Sequence, residues 1–320
     1  MSEESIRKEA AYDMKAKEDK VVYHTARQNR IKKSVGDNIV DVLIYVIVGL
    51  IGISTLLPFL YVVAGSFATE KELTQRAFFI IPHEISLNAY YYIIKTGEVF
   101  RGLKNSLFVT VVGTIVNMFF TTTFAYPLSK SYLRGRNGLL NMVIVTMLFG
   151  GGMIPTFIWM QTLHLYNTFW VLILLGAINP FNMIIVKNFF QDLPTELEEA
   201  ARVDGCSDIR IFAQIVLPLS KPVIASISLF YAVGHWNDYF SAMIYLKDSS
   251  KEVVQIVLRR IVLLAGGIDT SQFDYESQGT PPDKAVKMAA TMFATIPILV
   301  VYPFVQKYFA KGVMVGAVKG

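Results

Sequence analysis

"PTELEEAARVDGCSDIRIFAQIVLPLSKP", residues 194–222, is the longest interior stretch of the chain with the polarity of a soluble protein's surface. Thr195 followed by Glu198 has the spacing of a capping box, in which the threonine oxygen takes a backbone N–H and the glutamate reaches back. A short helix is expected from Thr195, with Leu197, Ala200 and Ala201 on one side and Glu196, Glu199 and Arg202 largely elsewhere. Gly205 stands where a helix closes on a left-handed residue, a conformation that glycine adopts at little cost. Ser207 and Asp208 then offer a second N-cap, and Ile209, Phe212, Ala213 and Val216 follow at helical spacing until Pro218, which is expected to stop the helix. The stretch reads as helix, glycine corner, helix.

What surrounds it is apolar. Of the 320 residues 53% are hydrophobic and 17% charged, and the mean hydropathy is +0.44, which excludes a water-soluble domain with a polar shell. A membrane-crossing helix needs about 20 apolar residues. Six segments meet that measure, near residues 40–63, 106–128, 139–160, 168–189, 222–245 and 286–309. The expected fold is an all-α membrane protein of six transmembrane helices, with a polar tail over 1–39, a membrane domain over 40–320 and the helix-Gly-helix loop over 190–221, between spans 4 and 5. The net charge of +5 is spread over loops and span flanks, which suits topology and gives no basic-aromatic surface for nucleic acid. A lone cysteine, Cys206, excludes an internal disulfide and a multi-cysteine metal site. No cleavable signal peptide is expected, because a polar stretch precedes the first apolar segment.

Orientation follows from the short loops. "SKSYLRGRNG" (129–138) carries Lys130, Arg134 and Arg136 without an acid, whereas "QTLHLYNT" (161–168) carries no formal charge. The positive-inside rule places the first in the cytoplasm, and with six spans both termini lie inside (N-in/C-in). Arg27, Arg30, Lys32 and Lys33 agree, and Arg101 and Lys104 speak against. The stretch at 194–222 is then cytoplasmic. An interfacial helix on lipid headgroups is one reading, but Glu196, Glu198 and Glu199 make an acidic face that suits an anionic leaflet poorly. Docking into a cytoplasmic protein fits better.

Glu199, Ala200, Ala201, then Gly205, then Ile215, Val216, Leu217 and Pro218 resemble the EAA motif of the inner-membrane permeases of bacterial ABC importers. The resemblance runs from about residue 40 to the C-terminus. "HWNDYFSAMIYL" (235–246) is similar to a segment of the carbohydrate-uptake, maltose-type branch. "PFVQKYFAKGVMVGAVKG" (303–320) is similar to the C-terminus of that branch, and most of all to the subgroup named for polysaccharide or lipoprotein-linked transport. The resemblance implies a permease subunit in the bacterial cytoplasmic membrane, forming half of a path for an oligosaccharide or related glycoside. Its partners would be a second homologous permease, two ATP-binding cassette subunits that hold the ATP and Mg, and an extracytoplasmic solute-binding protein. The motif implies an ATPase-coupling surface of Glu198, Glu199, Ala200, Ala201, Asp204, Gly205, Ile215, Leu217 and Pro218. Residues 1–39 carry no recognised pattern and leave open a membrane-surface helix or a disordered segment.

The energy source is expected on another chain. No G-x-x-x-x-G-K-[ST] occurs, and the dipeptide Gly-Lys is absent, so this chain has no Walker-type phosphate cradle and no cofactor of its own is expected. A secondary transporter of a small polar solute would want ionisable groups within the bilayer, yet the six segments hold essentially Asp238, with Asp41 and Lys187 near their ends. An intramembrane glycan or lipid enzyme would need clustered ligands or nucleophiles, and the four histidines, His24, His83, His164 and His235, form no pair at ligand spacing. A transport subunit without enzymatic activity is the expectation, and no metal site.

For a pathway, neutral polar and aromatic groups suit a sugar, whose hydroxyls need reversible hydrogen bonds and whose C–H faces pack on rings. Trp236, Asn237, Asp238, Tyr239 and Asn182 are the candidate pathway or gate residues, with Asn117, Gln161, Asn179 and His235 as further polar groups that serve equally as interhelical glue. "GGGMIP" (150–155) and "INPF" (178–181) lose helix propensity and a backbone donor together, so breaks are expected there. The region 247–284, with its Gly-, Ser-, Asp- and Pro-rich stretch at 267–283, reads as an external loop, either a contact for the binding protein or a solvated connector.

Overall fold

A computed structural model describes residues 35–265 and 284–317, with side chains described as far as residue 303. Most of the tail at 1–39, the loop at 267–283 and the side chains of most of the C-terminal motif lie outside the described residues. All regular structure among the described residues is helical. The chain divides into two compact units at Phe59 and Leu60. Helix α1 (Val35–Ser66) fills the described part of the first, apolar on every face and long enough to cross a membrane.

The second unit continues with α2 (Glu70–Gln75), α3 (Asn88–Thr96), α4 (Glu98–Ser129), α5 (Arg136–Leu148), α6 (Met153–Thr162), α7 (Phe169–Leu174), α8 (Pro180–Gln191), α9 (Thr195–Val203), α10 (Asp208–Leu219), α11 (Lys221–Asn237), α12 (Phe240–Tyr245), α13 (Val254–Ala265) and α14 (Lys284–Ala317). Helix α4 is the axis of the unit and packs on α7, α8, α11 and α13. Around its C-terminal half gather Tyr126, Leu128, Phe190, Ile211, Val216 and Ile227. Near its start, Val99 joins Leu73, Phe79, Ile93 and Ala289. Phe119, Leu148 and Phe149 are more than 60% exposed, a surface that water penalises and lipid or an apolar partner does not.

The segments at 40–63, 106–128 and 286–309 lie within single helices, and α1, α4 and α14 each pass the length and composition of a span. The other three segments are not continuous helices. Residues 139–160 divide into α5 and α6, bent by 113°, because Gly150–Gly152 hold no helix and Gly152 takes φ +81°. Residues 168–189 divide into α7 and α8 across 175–179, with Pro180 in the first turn of α8. Both breaks fall where the glycine and proline clusters predict them. The stretch 222–245 ends its first helix at Asn237 and restarts at Phe240. A bend of 82° lies upstream between α10 and α11, at Ser220, which sits between Pro218 and Pro222. The described residues thus hold three straight candidate spans, or five if each bent pair counts as one.

Candidate functional site

The polar stretch at 194–222 folds as an elbow of two helices. Helix α9 starts after Pro194, and Thr195 is its first helical residue and makes no side-chain cap, so the capping box does not form. The reason is Glu198, which is buried and paired with Lys130 and therefore does not reach back along its own helix. Ala201 is the other buried residue of α9, while Glu199, Ala200 and Asp204 are exposed. The helix closes with Cys206 N–H donating to Ala201 O at 2.9 Å across Gly205, whose φ is +80°. An added Cβ at Gly205 would meet nothing within 4 Å, so left-handed backbone, and not lack of room, requires glycine here.

Ser207 caps α10, its hydroxyl oxygen accepting from Arg210 N–H at 3.4 Å. Pro218 does not end this helix. Residues 212–216 widen into a π-helical turn, which absorbs the donor that Pro218 lacks and carries α10 on to Leu219. Ile215 and Leu217 are half-buried and pack on the α4–α8–α11 core, and Pro218 is exposed. On the outer side Val203 and Ile209, 88% and 80% exposed, flank Gly205. A groove of ≈ 330 Å³ lined by Tyr126, Pro127, Leu133, Ile209 and Phe212 adjoins them. The corner thus sets bare apolar side chains beside the exposed carboxylates of Glu199, Asp204 and Asp208.

Arg202 donates to Asp208 at 2.9 Å and to the Tyr132 hydroxyl at 2.5 Å, and these bonds hold its pKa above the ordinary guanidinium value. Lys130 and Arg136, which the sequence assigns to topology alone, are committed to contacts: Arg136 donates to Leu128 O at 2.8 Å and to Gln191 at 3.1 Å.

The pathway candidates separate into two places. At the α7–α8 break, Tyr231 of α11 accepts from Asn179 N–H at 3.0 Å and exchanges a hydrogen bond with Thr121 of α4 at 2.7 Å. Asn117 donates to Gly176 O at 2.9 Å, and Asn182 is buried with its backbone N–H held by Asn179 Oδ1 at 3.1 Å. This junction joins three helices through the carbonyl and N–H that the break sets free. The "HWNDYF" segment lies at the α11–α12 break. There Asp238 Oδ1 accepts from Ser241 N–H at 3.0 Å, so the acid caps α12. Asn237 donates to Val233 O at 3.0 Å. Trp236 is 7% exposed, and its carbonyl accepts from Gln255 at 3.1 Å. The Arg259 guanidinium lies 4.8 Å over the Tyr239 ring. His235 meets Gly113, where any Cβ would come within 2.5 Å of Nε2. Gln161 is exposed. No hydrogen bond among the described residues joins Asn182 to the "HWNDYF" group.

Sequence reasoning missed Lys130, Val203, Ile209 and Asn167. Asn167, at φ +59°, accepts from Lys247 and Asp248 N–H at 3.1 and 3.0 Å and ties the two connecting loops together. An Asn ahead of a helix-starting Thr is a turn signal, but its partners lie 80 residues on. No group of three or more His, Cys, Asp or Glu among the described residues could hold a metal.

Residues 25–315 match the family model described as "Binding-protein-dependent transport system inner membrane component". The chain is 54% identical over 280 residues to Protein LplC of Bacillus subtilis (strain 168), covering 88% of this chain and 95% of that one. It is 50% identical to the polygalacturonan/rhamnogalacturonan transport system permease protein YtcP of the same organism, covering 88% and 98%. A solved bacterial ABC transporter involved in the import of the acidic polysaccharide alginate contains a chain that superposes with TM-score 0.79 at 30% identity, covering 87% of this chain and 99% of that one. The chain belongs to the family of inner-membrane components of binding-protein-dependent transport systems, and is a multi-pass protein of the bacterial inner membrane.

Proposed function

We propose that the protein is one permease subunit of a heteromeric ABC importer for an oligosaccharide derived from a plant or algal polysaccharide, driven by ATP hydrolysis on separate subunits that grip the elbow. The observation that carries this reading is the elbow itself: a glycine held at φ +80°, flanked by Val203 and Ile209 that no described residue covers. In this reading the elbow faces the cytoplasm and Glu199, Ala200, Val203, Asp204 and Ile209 rest in a cleft of an ATP-binding subunit. Closure of the ATPase pair carries the elbow with it and reorients α4, α8 and α11, opening the path alternately to the two sides. A binding protein supplies the solute and a second permease completes the path.

The substrate class rests on the names of relatives, which refer to polygalacturonan, rhamnogalacturonan and alginate, and on a site chemistry that suits sugars. Exposed Asn237 and the Tyr239 ring beneath Arg259 offer an amide, an aromatic face and a guanidinium at one helix break, which bind hydroxyls, C–H faces and carboxylates respectively. The experiment is purification of the intact complex in mild detergent, followed by reconstitution with its binding protein. The account expects a co-purifying ATP-binding subunit whose hydrolysis is stimulated by an acidic oligosaccharide. Uptake that follows an ion gradient with no ATPase present would overturn it.

A further inference from the structure

Helix α9 is held to its own chain through a charge. Of its nine residues only Glu198 and Ala201 are buried, and alanine brings a single methyl to the contact. Burying a carboxylate is unfavourable unless it is paired. Lys130 supplies the pair, its Nζ donating to the two Glu198 oxygens at 2.5 and 2.6 Å, with the two side chains 12% and 10% exposed. The same ammonium lies 4.6 Å over the Tyr126 ring. One turn along α9, Arg202 stacks 5.0 Å from the Tyr132 ring and bonds its hydroxyl. Lys130 is the residue that closes α4. Both ties therefore run from α9 to the end of α4 and the turn that follows it, while the covalent chain runs from α9 back into α8 and on into α10 and α11.

We propose that Lys130 and Glu198 form a positioning pair that delivers movement of the elbow to α4, in parallel with the covalent routes into α8 and through α10 into α11. The routes meet again. About two turns up α4 from its end stands Thr121, bonded to Tyr231 of α11, which in turn holds Asn179 at the start of α8. The elbow is joined covalently to α8 through residues 192–194, so with the pair intact α4, α8 and α11 move with it as one body. With the pair cut, α8 and α11 are driven while α4 lags, and the shear falls on the Thr121–Tyr231 bond of the junction. Glu198 is thereby committed within this chain, and the neighbouring Glu199, exposed, is the carboxylate left for a partner. The inference rests on the reading of the elbow as the ATPase contact.

Charge reversal tests it. Lys130→Glu and Glu198→Lys singly, and both together, are compared in the reconstituted complex by the ratio of substrate-stimulated to unstimulated ATPase turnover. A role in assembly alone lowers both rates in proportion and leaves the ratio unchanged. The expected result is an about tenfold loss of the stimulated excess in each single variant, as for a broken buried pair, and recovery of most of it in the double variant. If the single variants do not assemble, the neutral double variant Lys130→Met with Glu198→Leu decides: a lowered ratio supports the pair, and a wild-type ratio refutes it. Stimulation retained in either single variant, or a double variant no better than the singles, overturns the proposal. A wild-type complex that substrate never stimulates instead removes the functional reading beneath it.

Discussion

At Gly205 an empty surrounding and a left-handed backbone occur together, so the effect of any side chain there is set by φ alone. Gly205→Val should cost about 1–3 kcal/mol locally, leave the protein inserted, and lower substrate-stimulated ATPase. Gly205→Asn, which tolerates the same φ, should retain most of it. Equal activity in the two variants would contradict the assignment. Glu72 tests another local balance. Burial raises its pKa, but N–H donors of His83 and Glu84 and the Arg76 guanidinium outweigh burial and hold the carboxyl below its ordinary value. Its contribution to stability is thus complete above the unfolded carboxylate pKa, about 4.3, and is lost as pH falls through the lower folded value. The protection of residues 70–87 against hydrogen exchange, taken relative to the intrinsic rate at each pH, should fall below about pH 4 in the native protein, and Glu72→Gln should flatten that dependence. The glycine was legible in the sequence because its conformation is a property of one residue. The roles of Glu198 and Lys130 were not: Glu198 fits a capping box by spacing, and its actual partner is 68 residues away.

Among the elements, the breaks were more legible than the helices between them. Glycine and proline act locally, so the interruptions at 149–152 and 175–179 follow from "GGGMIP" and "INPF". Apolarity alone cannot tell a straight span from a bent pair, and residues 139–160 pass the same composition test as residues 106–128 while folding at 113°. The α10 helix outlasts Pro218 because a π turn precedes it, a geometry with no sequence signal of its own. What the breaks expose is then bonded across helices. Tyr231→Phe would leave Asn179 N–H and the buried Thr121 hydroxyl without their shared oxygen. A loss of about 1–3 kcal/mol is expected, seen as a lower thermal midpoint of the purified complex. An unchanged midpoint would show that the junction does not brace these helices.

For the whole molecule, two kinds of surface are left uncovered by the described residues. One is the apolar flank with Phe119, Leu148 and Phe149, suited to lipid or to a second membrane subunit, and the other is the elbow with Val203 and Ile209 beside carboxylates. A subunit of a larger assembly has such surfaces, and the family of inner-membrane transport components supplies a reason for both. If a separate ATP-binding subunit grips the elbow, photo-cross-linking residues placed singly at Val203 and Ile209 in the actively importing complex, with buried Ile211 as control, will reach it. Capture of an ATP-binding subunit is expected from the two exposed positions, in a yield that changes with bound nucleotide, and none from Ile211. Capture of lipid alone, or of no ATP-binding subunit from either position, would contradict it.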